Sequence, residues 1–250
     1  MRSFSNLLIL MTILFVTSFS EAKVSKQVLS KKQSVVTIYI EDNKKTIAFG
    51  SGFIIDANGL VVTNHHVIAP WEKSKAGKLF IKKSDKKFLT PVEIVATDED
   101  KDVAIIKVKE TSLPAIKLAT KYKPAQGESV VVIGTPLGFE TTVTDGIVSG
   151  IRGEDGFVQI TAPIAQGSSG SPVLNANGDA IGVATLLVKD AQNLNFAIPV
   201  SYVESILSKP AMEKLAKSSA DYQSTQTFPI NIAEDAKIKK IGRASCRERV

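Results

Sequence analysis

The chain has 250 residues, of which 44% are hydrophobic and 22% are charged, and its formal net charge is +6 at pH 7. Arg2 and the last ten residues supply half of that charge, so residues 21–240 carry only +3, which is not typical of a nucleic-acid-binding protein. Cys246 is the single cysteine, which excludes a disulfide within the chain and a cysteine-based zinc site.

The first residues have the three-part pattern of a secretory signal peptide. A positive charge at Arg2 precedes the apolar run LLILMTILFV over residues 7–16, and small residues follow it. This run is too short to span a bilayer comfortably, although an N-terminal membrane anchor is the alternative interpretation. We therefore predict that residues 1–20 are a signal peptide and that the mature chain is exported to the periplasm or the medium, without a stable membrane span.

Short apolar, β-branched runs dominate the middle of the chain, as is typical of strands. Turn signals such as DANG at 56–59 and NANGD at 175–179 separate them. A seam over residues 112–128, rich in Pro, Lys and Gly, divides the runs into two sets of six. The runs cover residues 35–40, 47–55, 60–63, 78–82, 91–97, 103–108, 129–134, 144–151, 156–161, 171–174, 180–188 and 194–199.

This pattern predicts an all-β protein of two six-stranded antiparallel β-barrels, the first over residues 30–115 and the second over 125–208. A single short helix is predicted at the end of the second barrel, over 200–208. Residues 209–240 are rich in Lys, Ser and Gln and are interpreted as a linker or mobile tail. Residues 241–250 look like the in-frame translation of a sequencing-adapter oligonucleotide and are interpreted as an artefact, with a genuine basic tail as the alternative.

The two histidines, His65 and His66, are adjacent at the end of a predicted strand. Neighbouring side chains point in different directions there, so the pair cannot easily chelate one metal ion. Asp102 directly precedes the apolar run VAIIKV, and a carboxylate at the rim of a barrel can orient an imidazole. The other acids of that turn are competing candidates or solvated turn residues: Asp98, Glu99 and Asp100.

The stretch IAQGSSGSP, over residues 164–172, contains the candidate nucleophile. A serine hydroxyl needs a positioned base and N–H groups aimed at the oxyanion that forms. Gly167 and Gly170 bracket Ser168 and Ser169, and glycine lets the backbone turn sharply toward a substrate carbonyl. Serine and glycine also cluster in ordinary turns, so this stretch is weak evidence by itself.

The order of the candidates along the chain strengthens the hypothesis. His66 and Asp102 belong to the first half of the chain and Ser169 to the second, as a site in the cleft between two barrels requires. His-Asp-Ser is the order of the chymotrypsin-like proteases, whereas α/β-hydrolases have Ser-Asp-His. The G-x-S-x-G motif of those hydrolases is absent, because position 171 is Ser.

Four segments in sequence order resemble the trypsin-like peptidases of the HtrA/Deg type: GSGFIIDANGLVVTNHHVI, DVAIIKV, GSSGSPVLNANGDAIGV and NFAIP. The resemblance covers about residues 35–203, selects His66 rather than His65, and selects Asp102 and Ser169 as its partners. It implies a fold of the chymotrypsin type and a serine endopeptidase that acts on unfolded or flexible proteins. Members of this family often form homotrimers and often carry C-terminal PDZ domains; the sequence has no visible signature of a trimer, and a PDZ domain does not fit within 209–240.

Two residues of the nucleophile segment depart from the family pattern. Ser168 stands where the family usually has Asn, and Ser171 stands where it usually has Gly, so that the lost freedom of a glycine is expected to affect the loop. By the same resemblance, the oxyanion-hole donors are the backbone N–H groups of Gly167 and Ser169, with Ser168 as a further donor.

Substrate preference is bounded by the residues before the nucleophile. No acid lies between residues 161 and 169, so a preference for Lys or Arg substrates is not expected. Ile164, Ala184 and Thr185 are predicted to line a small apolar pocket, which favours cleavage after small aliphatic residues such as Val or Ala.

Two other functions compete with proteolysis. A proteolytically silent chaperone or binding module could use the same fold. A polyanion or membrane-surface binder could use a lysine-rich stretch that is offset only by Glu72 and Asp85, although such a stretch is usually a solvated hairpin face. The sequence has no phosphate-binding glycine loop, metal-ligand cluster or dinucleotide fingerprint, so no cofactor is predicted. The lysines are Lys73, Lys75, Lys78, Lys82, Lys83, Lys86 and Lys87.

Overall fold

In a computed structural model of the chain, the described residues are 24–42, 45–74, 77–136, 140–185 and 195–207. The predicted signal peptide, the predicted linker over 209–240 and the final ten residues lie outside them. No helix in this part of the chain is long and apolar enough to cross a membrane.

The first half of the chain forms a curled antiparallel sheet of seven strands in the order β5-β4-β1-β2-β3-β7-β6. Six of these strands match the predicted runs. Strand β5 was not predicted, because two residues between a lysine-rich turn and a proline are too few to show a pattern. The edge strands β5 and β6 are not paired with each other, so the sheet curls without closing. The strands are β1 Val35–Asp42, β2 Lys45–Asp56, β3 Leu60–Thr63, β4 Lys78–Lys83, β5 Phe88–Leu89, β6 Pro91–Asp98 and β7 Val103–Val108.

The second half of the chain forms a closed antiparallel barrel of six strands in the order β10-β13-β12-β11-β8-β9. All six match predicted runs, with small differences at their ends. The predicted all-β architecture with two barrel-like units is thereby confirmed. The strands are β8 Ser129–Gly134, β9 Thr142–Arg152, β10 Phe157–Ile160, β11 Pro172–Leu174, β12 Ala180–Thr185 and β13 Asn195–Pro199.

Helices are short and occur where strands end. Helix α1, Lys26–Ser30, precedes β1, and helix α3, Val200–Ile206, follows the barrel at the position of the predicted helix. Helix α2, His65–Ser74, was not predicted, because it has only ten residues and contains Pro70, which cannot donate a helical hydrogen bond. It begins directly after β3 and therefore carries both histidines on its first turn.

A shared apolar core joins the two units. Phe53 and Ile105 from the first sheet pack in one cluster with Ile133 and Val183 from the barrel, all of them fully buried. The connecting segment takes part, since Ile116 is buried in the same cluster and its N–H donates to the Ile54 carbonyl at 2.8 Å. A continuous core of this kind fixes the two units relative to each other, and it forms the floor on which residues from both can meet.

Candidate active site

His66 and Asp102 form a close pair within the first unit. The Nδ1 atom of His66 lies 2.8 Å from Oδ2 and 3.0 Å from Oδ1 of Asp102, and the backbone N–H of His66 donates to Oδ1 at 2.9 Å. A carboxylate facing Nδ1 favours the tautomer in which that nitrogen carries the proton, which leaves Nε2 as the basic nitrogen. The His66 side chain is 50% exposed and can therefore be reached from solvent, whereas that of Asp102 is 24% exposed.

The turn that carries Asp102 is tied to the strand that leads into helix α2. Asp102 has a φ of +54°, a left-handed conformation that Asp tolerates better than most residues. Its carbonyl accepts a hydrogen bond from the Asn64 side-chain amide at 2.9 Å. Of the competing acids, Asp98 caps the turn by accepting the Lys101 N–H at 2.9 Å, so Asp102 is the acid of this turn that contacts the imidazole.

The adjacent histidine has a different environment. His65 is buried, and its Nε2 lies 2.7 Å from Oε2 of Glu72, near the other end of the same helix. The two imidazoles therefore have separate partners. Among the described residues, no group of three or more His, Cys, Asp or Glu side chains is arranged to hold a metal ion.

The loop before β11 holds the candidate nucleophile, Ser169, in a tight turn with positive φ at two glycines. Gly167 has a φ of +92° and Gly170 a φ of +88°, values that side chains rarely adopt. The N–H of Ser168 donates to the Ala165 carbonyl at 2.9 Å, and the N–H of Gly170 donates to the Ala184 carbonyl of β12 at 2.9 Å. The loop is thus built on backbone hydrogen bonds to itself and to the neighbouring strand.

Two backbone N–H groups of this loop are unpaired within the described part of the chain. The N–H groups of Gly167 and Ser169 have no acceptor in the part of the chain that the structure describes. The N–H of Ser168 is already engaged by Ala165, so its predicted role as a further oxyanion donor is not supported in this conformation.

The structure does not show the distortion of the loop that was expected from a serine rather than a glycine at position 171. Ser171 has no positive φ, so its backbone conformation is open to residues other than glycine. Its hydroxyl is buried without a hydrogen-bond partner among the described residues and lies against Gly134, where a Cβ atom would be only 2.5 Å away. The absence of a side chain at Gly134 is therefore what makes room for the serine.

The loop that carries the candidate nucleophile, residues 161–171 and called the nucleophile loop below, lies directly against the first unit beside helix α2. The carbonyl of Ser169 accepts the Ser51 N–H at 2.8 Å. A Cβ atom placed on Gly50 would be 3.1 Å from that carbonyl and 2.6 Å from a methyl group of Val67, the residue after His66. The segment that carries Ser169 and the helix turn that carries His66 therefore flank the same short stretch of β2.

Strand β12 contacts both halves of the site. The hydroxyl of Thr185 donates to Oδ2 of Asp102 at 3.2 Å, across the junction between the units. Thr185 and Ala184 were predicted as pocket residues, and both are buried. Ile164 lines a cavity of about 130 Å³ together with Thr144 and Ser168. Neither Ala184 nor Thr185 lines that cavity, so the structure does not bring the three predicted pocket residues together there.

A polar network outside the site links the turn of Asp102 to the barrel. Lys101 donates to Asp155 in the β9–β10 turn, and its ammonium lies 5.2 Å from the ring centroid of Tyr202 in helix α3. The hydroxyl of Tyr202 donates to Asp155 as well. The hydrogen bond from Lys101 lowers the pKa of Asp155, and the same bond raises the pKa of Lys101.

Comparison with known proteins agrees with this fold. Residues 50–183 match the family described as the trypsin-like peptidase domain. The chain therefore belongs to the trypsin-like peptidases.

Its relatives specify the branch of that family. The chain is 34% identical over 206 residues to the mitochondrial serine protease HTRA2 of Drosophila pseudoobscura pseudoobscura, covering 75% of this chain and 47% of that protein. It is 36% identical over 178 residues to the putative serine protease HhoB of Synechocystis sp., covering 66% of this chain and 41% of the relative. It thus spans about half the length of these curated relatives or less.

Solved structures agree with that branch. The serine endoprotease from Yersinia pestis superposes with a TM-score of 0.65 at 30% identity, covering 77% of this chain and 66% of that one. The HtrA-type protease AlgW with tripeptide gives a TM-score of 0.64 at 26% identity, covering 75% and 64%. The chain is accordingly of the HtrA/Deg type, and the chymotrypsin-like double barrel predicted from the sequence is confirmed.

Proposed function

We propose that this chain is a serine endopeptidase in which Ser169 is the nucleophile, His66 the general base and Asp102 the residue that orients it. The observation that carries the proposal is the His66–Asp102 pair, held by both Nδ1 and the backbone N–H. It lies beside a loop whose Gly167 and Ser169 N–H groups have no acceptor in the described part of the chain.

The reaction follows from these groups. The Ser169 hydroxyl attacks the scissile carbonyl while Nε2 of His66 takes its proton, and Asp102 stabilises the imidazolium that forms. The tetrahedral oxyanion accepts hydrogen bonds from the N–H groups of Gly167 and Ser169. His66 then returns the proton to the leaving amine, and a water molecule activated in the same way hydrolyses the acyl-enzyme.

The substrates we propose are unfolded or flexible proteins that are cleaved after small aliphatic residues. Residues 161–169 contain no acid that could pair with a Lys or Arg side chain. The wall formed at Ile164 is apolar and belongs to a small cavity. Peptides that differ only in Val, Ala or Lys before the scissile bond test this proposal, since a preference for Lys would contradict it.

The central experiment is digestion of casein by the wild type, Ser169→Ala and a matched control, Ser201→Ala, whose serine is exposed on helix α3. We expect Ser169→Ala to lower kcat by about 10⁶-fold and the control to retain activity. A fluorophosphonate probe should label the wild type and the control but not Ser169→Ala. Failure of the wild type to digest casein and to react with the probe would support the silent chaperone or binding module instead.

The lysine-rich stretch gives less support to polyanion binding. Its described residues lie near the end of helix α2, in strand β4 and in the turn into β5, where Lys83 pairs with Asp85 at 3.2 Å and Lys82 lies over the ring of Phe88. These contacts engage part of its positive charge within the hairpin. Retention on heparin at moderate salt would reopen this possibility.

Location and assembly are further proposals. We propose export on the basis of the predicted signal peptide, although one relative is named as mitochondrial. A homotrimer follows from the family resemblance alone. Cell fractionation tests the first proposal, and sedimentation analysis of the purified chain tests the second.

A further inference from the structure

We infer that Ser51 is a positioning residue for the nucleophile loop, a role that rests on the proposed function of Ser169 and extends it. Ser51 lies in β2 of the first unit and is completely buried. It is distant in sequence from the loop and belongs to none of the three predicted catalytic positions. Its hydroxyl nevertheless reaches across the junction between the two units and contacts the loop directly.

The hydrogen bonds of the Ser51 hydroxyl can be assigned without ambiguity. The oxygen lies 2.8 Å from the Gly167 carbonyl, which can only accept, so the single hydroxyl proton of Ser51 points there. The backbone N–H of Thr135 donates to Ser51 Oγ at 2.9 Å. The Thr135 hydroxyl, at 3.0 Å, must then be a donor as well. One donated and two accepted bonds use the full capacity of the hydroxyl.

These contacts fix the loop on both sides of Ser168. The hydroxyl of Ser51 holds the carbonyl of Gly167, and its backbone N–H holds the carbonyl of Ser169. A peptide unit is planar, so these two carbonyls fix the directions of the Ser168 and Gly170 N–H groups, which belong to the same units. The remaining unit, which carries the Ser169 N–H, has its own carbonyl bound by the Ser171 N–H at 3.0 Å.

A contact from outside the loop is needed at this place, because a glycine does not by itself fix the conformation of the backbone. Gly167 has a φ of +92° and, without a side chain, has access to many other conformations of similar energy. The Ser51 hydroxyl selects one of them. The loop and strand β2 are also closely packed here, since a Cβ atom on Gly170 would lie only 2.0 Å from the Ser51 carbonyl oxygen. The peptide unit that carries the Ser169 N–H is thus flanked on both sides by units that Ser51 holds, and the Gly167 N–H directly precedes the first of them.

The experiment compares Ser51→Ala with Ser34→Ala, a buried serine of the same unit that is not hydrogen-bonded to the loop. We expect Ser51→Ala to lower kcat by about 30-fold while KM stays within about twofold, because misplaced oxyanion donors weaken transition-state binding only. Affinity for a peptide boronate, which forms a tetrahedral adduct with a serine, should fall by the same factor. The Nδ1 proton resonance of His66 should not move. Ser34→Ala should leave all four quantities unchanged.

Thr135 provides a second test that is milder for folding. Thr135→Val removes one donor to the Ser51 hydroxyl and should lower kcat by about threefold, whereas Thr135→Ser should restore it. In the double variant with Ser51→Ala, the two effects should not add, because both act through one hydrogen-bond junction. If Ser51→Ala does not fold, the Thr135 pair decides the question, and equal kcat values for Val and Ser at this position would refute the inference.

Other outcomes also decide between a positioning role and a structural one. Activity of Ser51→Ala within about twofold of Ser34→Ala would overturn the inference, as would a loss of kcat accompanied by a shifted His66 resonance or a parallel rise in KM. If the wild type neither hydrolyses peptides nor binds the boronate, the proposed function fails instead. The anchor is then judged from the amide resonances of Gly167 and Ser169. A shift in Ser51→Ala but not in Ser34→Ala would support it, and unchanged resonances in both would refute it.

Discussion

The two halves of the proposed site are held in place by different means. In the His66–Asp102 half, the ring and backbone N–H of His66 bind the carboxylate, the Thr185 hydroxyl of the barrel adds a further hydrogen bond, and the imidazole is half exposed. In the Ser169 half, backbone groups are bound by other backbone groups and by one buried hydroxyl from the opposite unit, Ser51. The first half therefore depends on charge and orientation, and the second depends on room for an unusual backbone path.

This difference predicts different responses to mutation. Substitutions in the His66–Asp102 half should alter catalysis with little effect on folding, because the groups are near solvent and can be replaced by others of similar shape. Substitutions in the Ser169 half should affect stability and catalysis together, because the loop is packed against β2 without space for extra atoms.

The largest effect is expected for Gly170→Ala. An added Cβ would lie 2.0 Å from the Ser51 carbonyl oxygen, and the φ of +88° is itself unfavourable for alanine. We expect a loss of about 4 kcal/mol in the free energy of unfolding and no detectable hydrolysis. Urea denaturation measures the first and a peptide assay the second.

A matched control separates strain from crowding at this position. Gly127 has a similar φ of +86°, but apart from its chain neighbours no described residue has an atom within 4 Å of its Cβ position. Gly127→Ala should therefore cost only about 1 kcal/mol and retain activity. Equal stability losses at the two glycines would show that the close contact between the loop and β2 does not constrain the protein.

Asp102→Asn should produce the next largest effect, and in catalysis alone. Asparagine keeps the shape of the side chain but favours the wrong imidazole tautomer, so we expect kcat to fall by about 10³-fold to 10⁴-fold. The melting temperature should change by no more than about 2 °C. Asp100→Asn, an exposed acid of the same turn, is the control and should keep wild-type kcat. A comparable loss in both variants would contradict the choice of Asp102.

Much of the fold could be predicted from the sequence because strand signals are local. Alternating apolar residues and Asn-Gly turns lie within a few residues of each other, and twelve of the thirteen strands match predicted runs. Strand β5 and helices α1 and α2 were not found, since two residues show no period, five residues make little more than one helical turn, and Pro70 disguises a helix. The choice of Asp102 over its neighbours followed from its position next to a buried strand.

The supporting residues of the site could not be predicted, because their partners are distant in sequence. Ser51 looks like an ordinary polar residue of a strand until the fold brings Gly167 to it, and Thr185 was predicted only as a pocket residue, not as a partner of Asp102. The local signal in the sequence was the composition around them, since each is a hydroxyl residue in an otherwise buried run of small and apolar residues. A buried hydroxyl must find a partner, and that requirement could have marked both as candidates.

Thr185→Val tests the side chain that, among the described residues of the barrel, donates a hydrogen bond to the His66–Asp102 pair. Valine has nearly the same shape but leaves Oδ2 of Asp102 without the hydroxyl donor. The lost bond to a charged group should weaken transition-state binding by about 1–2 kcal/mol, a fall in kcat of about 5-fold to 30-fold. Thr185→Ser should restore most of the activity. Wild-type kcat in the valine variant would show that this half is held entirely by its own unit.

The smallest effect is expected for Lys101→Met, and it concerns the pH dependence of stability. The pKa of Asp155 is lowered by the hydrogen bond from Lys101, so the pair stabilises the fold above the ordinary pKa of Asp and loses that contribution as the pH falls through the lowered value. The pKa of Lys101 is raised by the same bond, so the contribution is also lost when the pH rises through that raised value.

The melting temperature of the variant should therefore be lower than that of the wild type by a small amount near pH 7, since exposed ion pairs are weak. The difference should shrink below about pH 4 and above about pH 10, where one partner loses its charge. Asp155→Asn should show the same two limits, and a constant difference at every pH would show that Lys101 acts through its packing against Tyr202 rather than through its charge.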